Sequence, residues 1–292
     1  MIRSALLLAF VTSATVLSAQ SPAVPQTQAP LAFEVASVKP NTSNATPFSR
    51  FPLGPGDAYV AGSLFSATNQ PLINYIRFAF GRSQGELLRL PSWVYDERFD
   101  IQARAAGEPT KDDMRLMIRA LLAARFNVTW HVERREEPVL ELVLAKPGEF
   151  GPQLARHTTG QPCGQDAPRR ADPKFDAIPC GAGLVSATSP GRASISGRAE
   201  PIVKLAGLLS NNSFAGVDRV VLDRTGLTGT FDFSVEWAVP VRSVEPLFRP
   251  VGDDVGPPLE VALRRQLGLT LRPTRAPIDV LVIDRVEQPT PD

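Results

Sequence analysis

From Leu64 to Arg285 the alternation of apolar and polar positions passes through one series twice. A short strand at Leu64–Thr68 leads to Pro71, well suited to the first position of a helix, where its missing N–H is not needed. Leu72, Ile73, Ile76, Ala79 and Phe80 follow at helical spacing, and Gly81 can end that helix. In 96–104, Phe99, Ile101 and Ala103 alternate with Asp100, Gln102 and Arg104, the pattern of a strand with one wet face. Thr110, with Asp113 three residues on, starts a second helix whose stripe is Met114, Met117, Ile118, Leu121 and Leu122. The stripe reads as core packing. Two strands, 126–133 and 138–145, are expected around a hairpin at Arg134–Glu137.

The later half restates this order. Ser194–Gly197 is a strand, and Pro201–Ser210 a helix with Ile202, Leu205, Ala206 and Leu209 inward. Gly229–Trp237 is a strand with Phe231, Phe233 and Val235 alternating against Asp232 and Ser234. Pro257–Leu267 is a helix ended by Gly268, and Leu269–Arg272 and Ile278–Arg285 are the closing strands. Matched segments keep their order: Phe65–Leu72 with Ile195–Ile202, Arg98–Ile101 with Thr230–Phe233, Arg125–Val128 with Gln266–Leu269, and Pro138–Val143 with Pro277–Val282. The expected fold class is therefore α+β. It consists of two tandem strand-helix-strand-helix-strand-strand repeats in a pseudo-two-fold relation. The first unit spans 33–149, with an opening strand at Phe33–Val38 and a long loop at 41–62. The second spans 191–287, with an inserted loop at 240–255 and a tail at 288–292.

Between them, 150–190 shows no period and reads as an irregular connector. Cys163 and Cys180, each in a Pro-Cys-Gly tripeptide, bracket a Pro-, Asp- and Arg-rich loop within it. In an exported chain such a pair reads as a disulfide, worth about 3 kcal/mol in the chain-entropy model. Export is expected because residues 1–19 carry Arg3, an apolar run from Ala5 to Leu17, and Ser18-Ala19 at a plausible cleavage point. A retained membrane anchor is the alternative, although the run is shorter than the roughly 20 residues a span needs. Residues 20–32 form a Pro- and Gln-rich linker. No membrane span is expected in the mature chain, which is exported to the periplasm or the exterior.

Charge narrows the partners. The chain has 31 Lys+Arg and 30 Asp+Glu, and removing Arg3 leaves 30 of each. A net charge near zero argues against nucleic acid or an anionic membrane as the main partner. Glu133–Glu137 is of mixed sign and reads as a solvated edge or turn.

No catalytic constellation emerges. There are two histidines: His131 on the polar side of its strand and His157 in a loop, both read as surface residues. A Gly-x-Ser-x-Gly elbow, a phosphate loop and metal-ligand spacing are lacking, so no catalytic residue, metal or cofactor is expected. Asp100 and Asp232 occupy matching positions and would form a carboxylate dyad if the pseudo-two-fold brought them together. Their alternation against aromatics instead makes them solvated or turn-bonding groups. Asp223-Arg224-Thr225-Gly226, continuing to Gly229, is the densest local motif. It reads as a structural turn, or as a site whose amides take an anion or a peptide end. Trp93 and Trp237 are core or interface residues, or platforms for a stacked ligand.

Five motifs are also recognisable together: Phe33–Asn41, Pro91-Ser-Trp93 with Arg98-Phe-Asp100, Leu222–Gly229, Gln266–Leu269 and Val282–Arg285. In this order the chain resembles a family of exported soil-bacterial proteins, mainly acidobacterial, defined by a domain of unknown function. A similar domain occurs in some antibiotic-sensor-like (BlaR-type) membrane proteins. The His-Glu-x-x-His helix of those metallopeptidases is absent here, so their activity does not transfer. The resemblance supplies no catalytic residues. The expected function is a non-enzymatic binding or sensing module for an envelope protein or peptide. The rivals are an envelope hydrolase using carboxylates and a purely structural envelope protein.

Overall fold

Local signals build the four helices that were expected, and a short fifth at Trp93–Asp96 was not expected. In the structure, a computed structural model describing residues 31–49, 62–158, 178, 180–189, 191–211, 215–239 and 256–289, α1 (Leu72–Phe80) ends at Gly81 with φ +59°. After the 3-10 turn Gln84–Glu86 comes the short α2 (Trp93–Asp96). α3 (Lys111–Phe126) is capped by Thr110, whose side chain accepts from the Asp113 amide while Asp113 accepts from the Thr110 amide. α4 covers Ile202–Asn211, and α5 (Leu259–Ala262) runs on as a π turn, Leu263–Leu267, before Gly268. The expected signal segment (1–19), most of the expected linker, Cys163 and the expected inserted loop (240–255) lie outside the described residues. Residues from Leu31 onward pack as one compact unit, and no helix among the described residues is long and apolar enough to cross a membrane.

The strands are β1 (Val35–Asn41), β2 (Phe48–Ser49), β3 (Leu64–Pro71), β4 (Leu87–Leu88), β5 (Arg98–Arg104), β6 (Thr129–Leu144), β7 (Leu154–Arg156), β8 (Ala182–Ser189), β9 (Arg192–Glu200), β10 (Val221–Asp223), β11 (Phe231–Ala238) and β12 (Leu269–Arg285). They form three four-stranded sheets, ordered β1-β5-β3-β2, β10-β6-β12-β4 and β7-β11-β9-β8. The architecture is mixed α+β, with strands predominating.

The expected closing strand pairs are corrected. Arg134–Glu137 makes no hairpin, and Leu269–Arg272 and Ile278–Arg285 are one continuous strand. β6 and β12 are single long strands of 16 and 17 residues. They pair antiparallel along nearly their whole length, from Leu144 opposite Leu269 to Thr129 opposite Arg285. Charge-rich stretches that read locally as turns are held extended by a partner strand more than a hundred residues away. In chain order the elements run β3-α1-β4-α2-β5-α3-β6 and later β9-α4-β10-β11-α5-β12. The 150–190 connector is also less irregular than expected, because β7 and β8 are edge strands of the third sheet.

The central sheet joins the halves. β10 of the later half runs parallel to β6, with Val221 opposite Leu140, and β4 of the earlier half runs parallel to β12, with Leu87 opposite Leu281. The cores follow the same exchange. Phe65, Ile76, Phe99, Ile118 and Phe126 of the first half close over Leu281 and Ile283 of β12. Ile195, Leu205, Phe233, Trp237 and Leu263 of the second half close over Leu142 of β6. A smaller cluster, including Val139, Ile278, Val280 and Val282, belongs to the central sheet.

Candidate functional site

The Asp223–Gly229 turn is built from short side-chain bonds. Asp223 Oδ1 accepts from the Thr225 amide (3.0 Å) and hydroxyl (2.8 Å), and Thr225 Oγ1 accepts from the Leu227 amide (3.2 Å). The Arg224 amide donates to Leu142 O at 2.9 Å, and its guanidinium lies 3.7 Å from Glu141 Oε1. Gly226 has φ +70°, a conformation that suits glycine. Three of its amides are thus engaged within the fold, the arrangement of a turn that anchors β10 to β6.

The two tryptophans separate. Trp93 is half-buried at the start of α2 and packs on the first core. Trp237 is 0% exposed. It lies in phase with Phe233 and Val235 on β11, so it is a core residue and offers no stacking surface.

His157 and Asp232 correct the expectation of solvated side chains. His157 lies just past β7; its amide donates to Thr230 O, and its Nδ1 is 2.9 Å from Asp232 Oδ1. Their side chains are 8% and 1% exposed. Asp232 Oδ1 also accepts from the Ala199 amide at 2.9 Å. Ser196 and Ser234 hydrogen bond at 2.9 Å across the same ladder, and Arg198 and Glu200 are buried too. Both faces of β11 are covered, which is why a polar residue in antiphase to the core can still be buried. Asp100 has a parallel arrangement in the first sheet: Oδ1 accepts from the Asn69 amide and from Asn41 Nδ2, both at 2.7 Å. Asn69 and Ala199, the residues so held, have φ +53° and +55° beside irregularities in their ladders. The two aspartates sit in different sheets and pin local backbone, and no dyad forms between them. Cys180 is described, and no described cysteine is free; its expected partner, Cys163, lies outside the described residues.

His131 is exposed as expected. Nδ1 lies 2.9 Å from Asp284 Oδ2 and Nε2 2.9 Å from Glu133 Oε1. Those hydrogen bonds, to Asp284 first and Glu133 second, push its pKa above the ordinary value. Among the described residues, no group of three or more His, Cys, Asp or Glu side chains is placed to hold a metal ion.

Concavity occurs elsewhere. A cleft of about 520 Å³ opens between the Ala215–Arg219 segment and the Pro258–Glu260 start of α5, over Leu140, Leu271 and Pro273 of the central strands. That volume falls within the usual range of small-ligand and side-chain pockets. Its floor is apolar and its rim charged. Asp218 and Arg219 neutralise each other through two bonds, 2.7 and 3.1 Å, which hold the Asp218 carboxyl below its usual range. Glu260 makes no ion pair among the described residues. The first half braces the wall: Gly85 packs so closely that a Cβ there would stand 3.0 Å from Arg219 Cα, and Arg77 Nη2 donates to Asn211 O at 2.8 Å.

Sequence reasoning did not single out the cleft; the residues at the positions matched in the sequence can be compared with it. Two residues beyond Val128 stands Trp130, and two beyond Leu269 stands Leu271. α1 ends on Phe80 where α4 has Ser210, and Arg119 of α3 falls where α5 has Glu260. The large groups among these pack on one another. The Phe80 and Trp130 rings meet edge to face at 4.7 Å, and Arg119 lies 5.0 Å over Phe80 while donating to Ala79 O at 2.6 Å. Ser210 turns inward, accepting from the Val221 amide, and Leu271 and Glu260 line the cleft.

A family model described as a protein of unknown function (DUF3738) matches residues 73–286, most of the chain. No curated protein and no solved structure matches it.

Proposed function

We propose, for a chain that belongs to this family of proteins of unknown function, that it is an exported, non-enzymatic binding or sensing module whose capture surface is the cleft beside β10. The observation that carries this reading is the open, apolar-floored cleft with Glu260 at its rim. A built concavity with a few placed polar groups is where ligands are usually taken. The turn at Asp223–Gly229 lies at the other end of β10 and holds the strand that borders the cleft. Trp93 plays no part in this surface. Export is supported by the pattern of residues 1–19, and fractionation of cells making the full chain tests it.

The test of capture is an amide-shift screen of isotope-labelled mature protein against short extended peptides. Shifts clustering on Gly216–Arg219, Glu260 and Leu271 support the reading. Shifts confined to other surfaces, or none at millimolar peptide, refute it. A peptidoglycan or ester hydrolysis that vanishes on one carboxylate substitution would replace it with the hydrolase reading.

We infer further that the halves are tandem copies in an approximate two-fold relation and that Cys163 bonds to Cys180. The matched positive-φ residues Asn69 and Ala199, the matched aspartates and the β6–β12 ladder support the first. An experimental structure in which 64–144 does not superpose on 192–285 removes it. Two titratable thiols in the native exported protein remove the second.

A further inference from the structure

We propose that the cleft takes an extended segment presenting an aromatic ring together with a cationic side chain. The inference rests on the reading of the cleft as the capture surface. It comes from the contacts at the matching sequence positions of the first repeat: the Trp130 ring, edge on to Phe80, with the Arg119 guanidinium over the Phe80 face. On the repeat reading, Leu271 and Ser210 stand at the positions of the two rings and Glu260 at that of the cation. Leu271 and Glu260 line the cleft.

The lining fits such a guest. Leu140, Leu259, Leu271, Pro258 and Pro273 offer an apolar bed for a flat ring. Asp218 is satisfied by Arg219, so the charge left to recruit a partner is the exposed Glu260 carboxylate. An acidic guest would meet that carboxylate with no spare cation to offset it, because Arg219 is committed to Asp218. Charge complementarity of this kind selects among partners more than it adds affinity. Ring burial supplies most of the attraction.

The experiment uses the full mature chain and three blocked pentapeptides. One carries a tryptophan and an arginine two positions apart, so that both project from one side of an extended chain. The second has alanine for the tryptophan, and the third glutamate for the arginine. Amide shifts at Val217–Arg219, Glu260 and Leu271 report occupancy. The first peptide is expected to bind at the cleft, with at least tenfold weakening for each of the other two. Glu260→Gln should shrink the preference for arginine over glutamate several-fold and flatten its salt dependence. Leu271→Trp, which restores the first half's ring, should abolish the shifts. Leu271→Ala removes part of the apolar bed and should weaken the first peptide several-fold while keeping its lead over the other two, so the proposal stays testable if the tryptophan variant misfolds. If the alanine or glutamate peptide binds the cleft as well as the first, the ligand class is wrong while capture stands. If no peptide of any composition shifts the cleft residues, both readings fall.

Discussion

Replacing Asp232 by alanine should cost more stability than replacing Asp100, although each accepts from the amide of a positive-φ residue. Asp232 is 1% exposed at its side chain and accepts from two groups, the Ala199 amide and His157 Nδ1, each at 2.9 Å. His157 is itself 8% exposed, so neither group recovers a water partner easily. Each buried polar group left without its bond costs about 1–3 kcal/mol. Relief of the buried carboxylate's desolvation offsets part of this, and we expect a loss of about 3 kcal/mol. Asp100 and Asn41 are only half-buried, so water can replace the bond between them, while the Asn69 amide, in a residue 2% exposed, loses its partner. A loss of about 1–2 kcal/mol follows from one accessible bond and one buried one. The assay is equilibrium urea unfolding followed by tryptophan fluorescence, with m unchanged between variants. A double-mutant cycle with His157→Ala should show a coupling of about 1–2 kcal/mol for Asp232 and none for Asp100. The reasoning is refuted if Asp100→Ala costs as much as Asp232→Ala. It is equally refuted if Asp232→Ala and His157→Ala are additive.

Other outcomes are as specific. Gly197→Ala would put a Cβ against the Phe233 ring, with Cε1 and Cε2 at 2.7 and 2.9 Å, and should destabilise by about 1–3 kcal/mol, partly relieved in a double variant with Phe233→Leu; an unchanged urea midpoint would show that the ring is free to move. Thr110→Ala removes the capping box of α3 and should cost about 1 kcal/mol, measurable by the same unfolding curves, with Thr110→Ser close to the parent. His131 has its pKa raised by Asp284 and Glu133, so the folded state holds its proton more tightly than the unfolded chain does. Its stabilising effect is present below the ordinary histidine value of 6.5 and is lost as pH rises through the higher folded value. Proton NMR titration should show that upward shift, and Asp284→Asn should reduce it; a titration at or below the ordinary value contradicts the geometry.

What could be read in advance was what is local. Thr110 with Asp113, Gly81, Gly268 and the stripes of α1, α3 and α4 act within one or two turns, and each appears where the pattern put it. The Phe231–Val235 alternation, continued in phase, also buries Trp237. Distant pairing could not be read. The stretch Glu133–Glu137 is charged and borders Pro138, so by itself it resembles a turn. Only the register with β12 keeps it extended. β4, β7 and β10 are two or three residues long, too short to carry a period. With β7 unseen, His157 looked like a loop residue, and its burial beside Asp232 was hidden. The cleft was hidden for a different reason: its walls come from the Ala215–Arg219 segment, the start of α5 and both long strands, which are brought together by pairing of distant segments.

The exchange of short strands across the central sheet also governs timing. Leu281 and Ile283, near the chain's far end, are part of the core that Phe65, Phe99 and Phe126 begin. That first core therefore stays open on one side until the last strand arrives. β6 must likewise wait for β12, whose partners lie between 125 residues (Leu144 with Leu269) and 156 residues (Thr129 with Arg285) away in sequence. Closure over such separations is slow and entropically costly, and assembly becomes a single late event instead of two successive ones. Pulse-labelled hydrogen exchange during refolding would show it, with amides of α1 and α3 gaining full protection no earlier than those of β12.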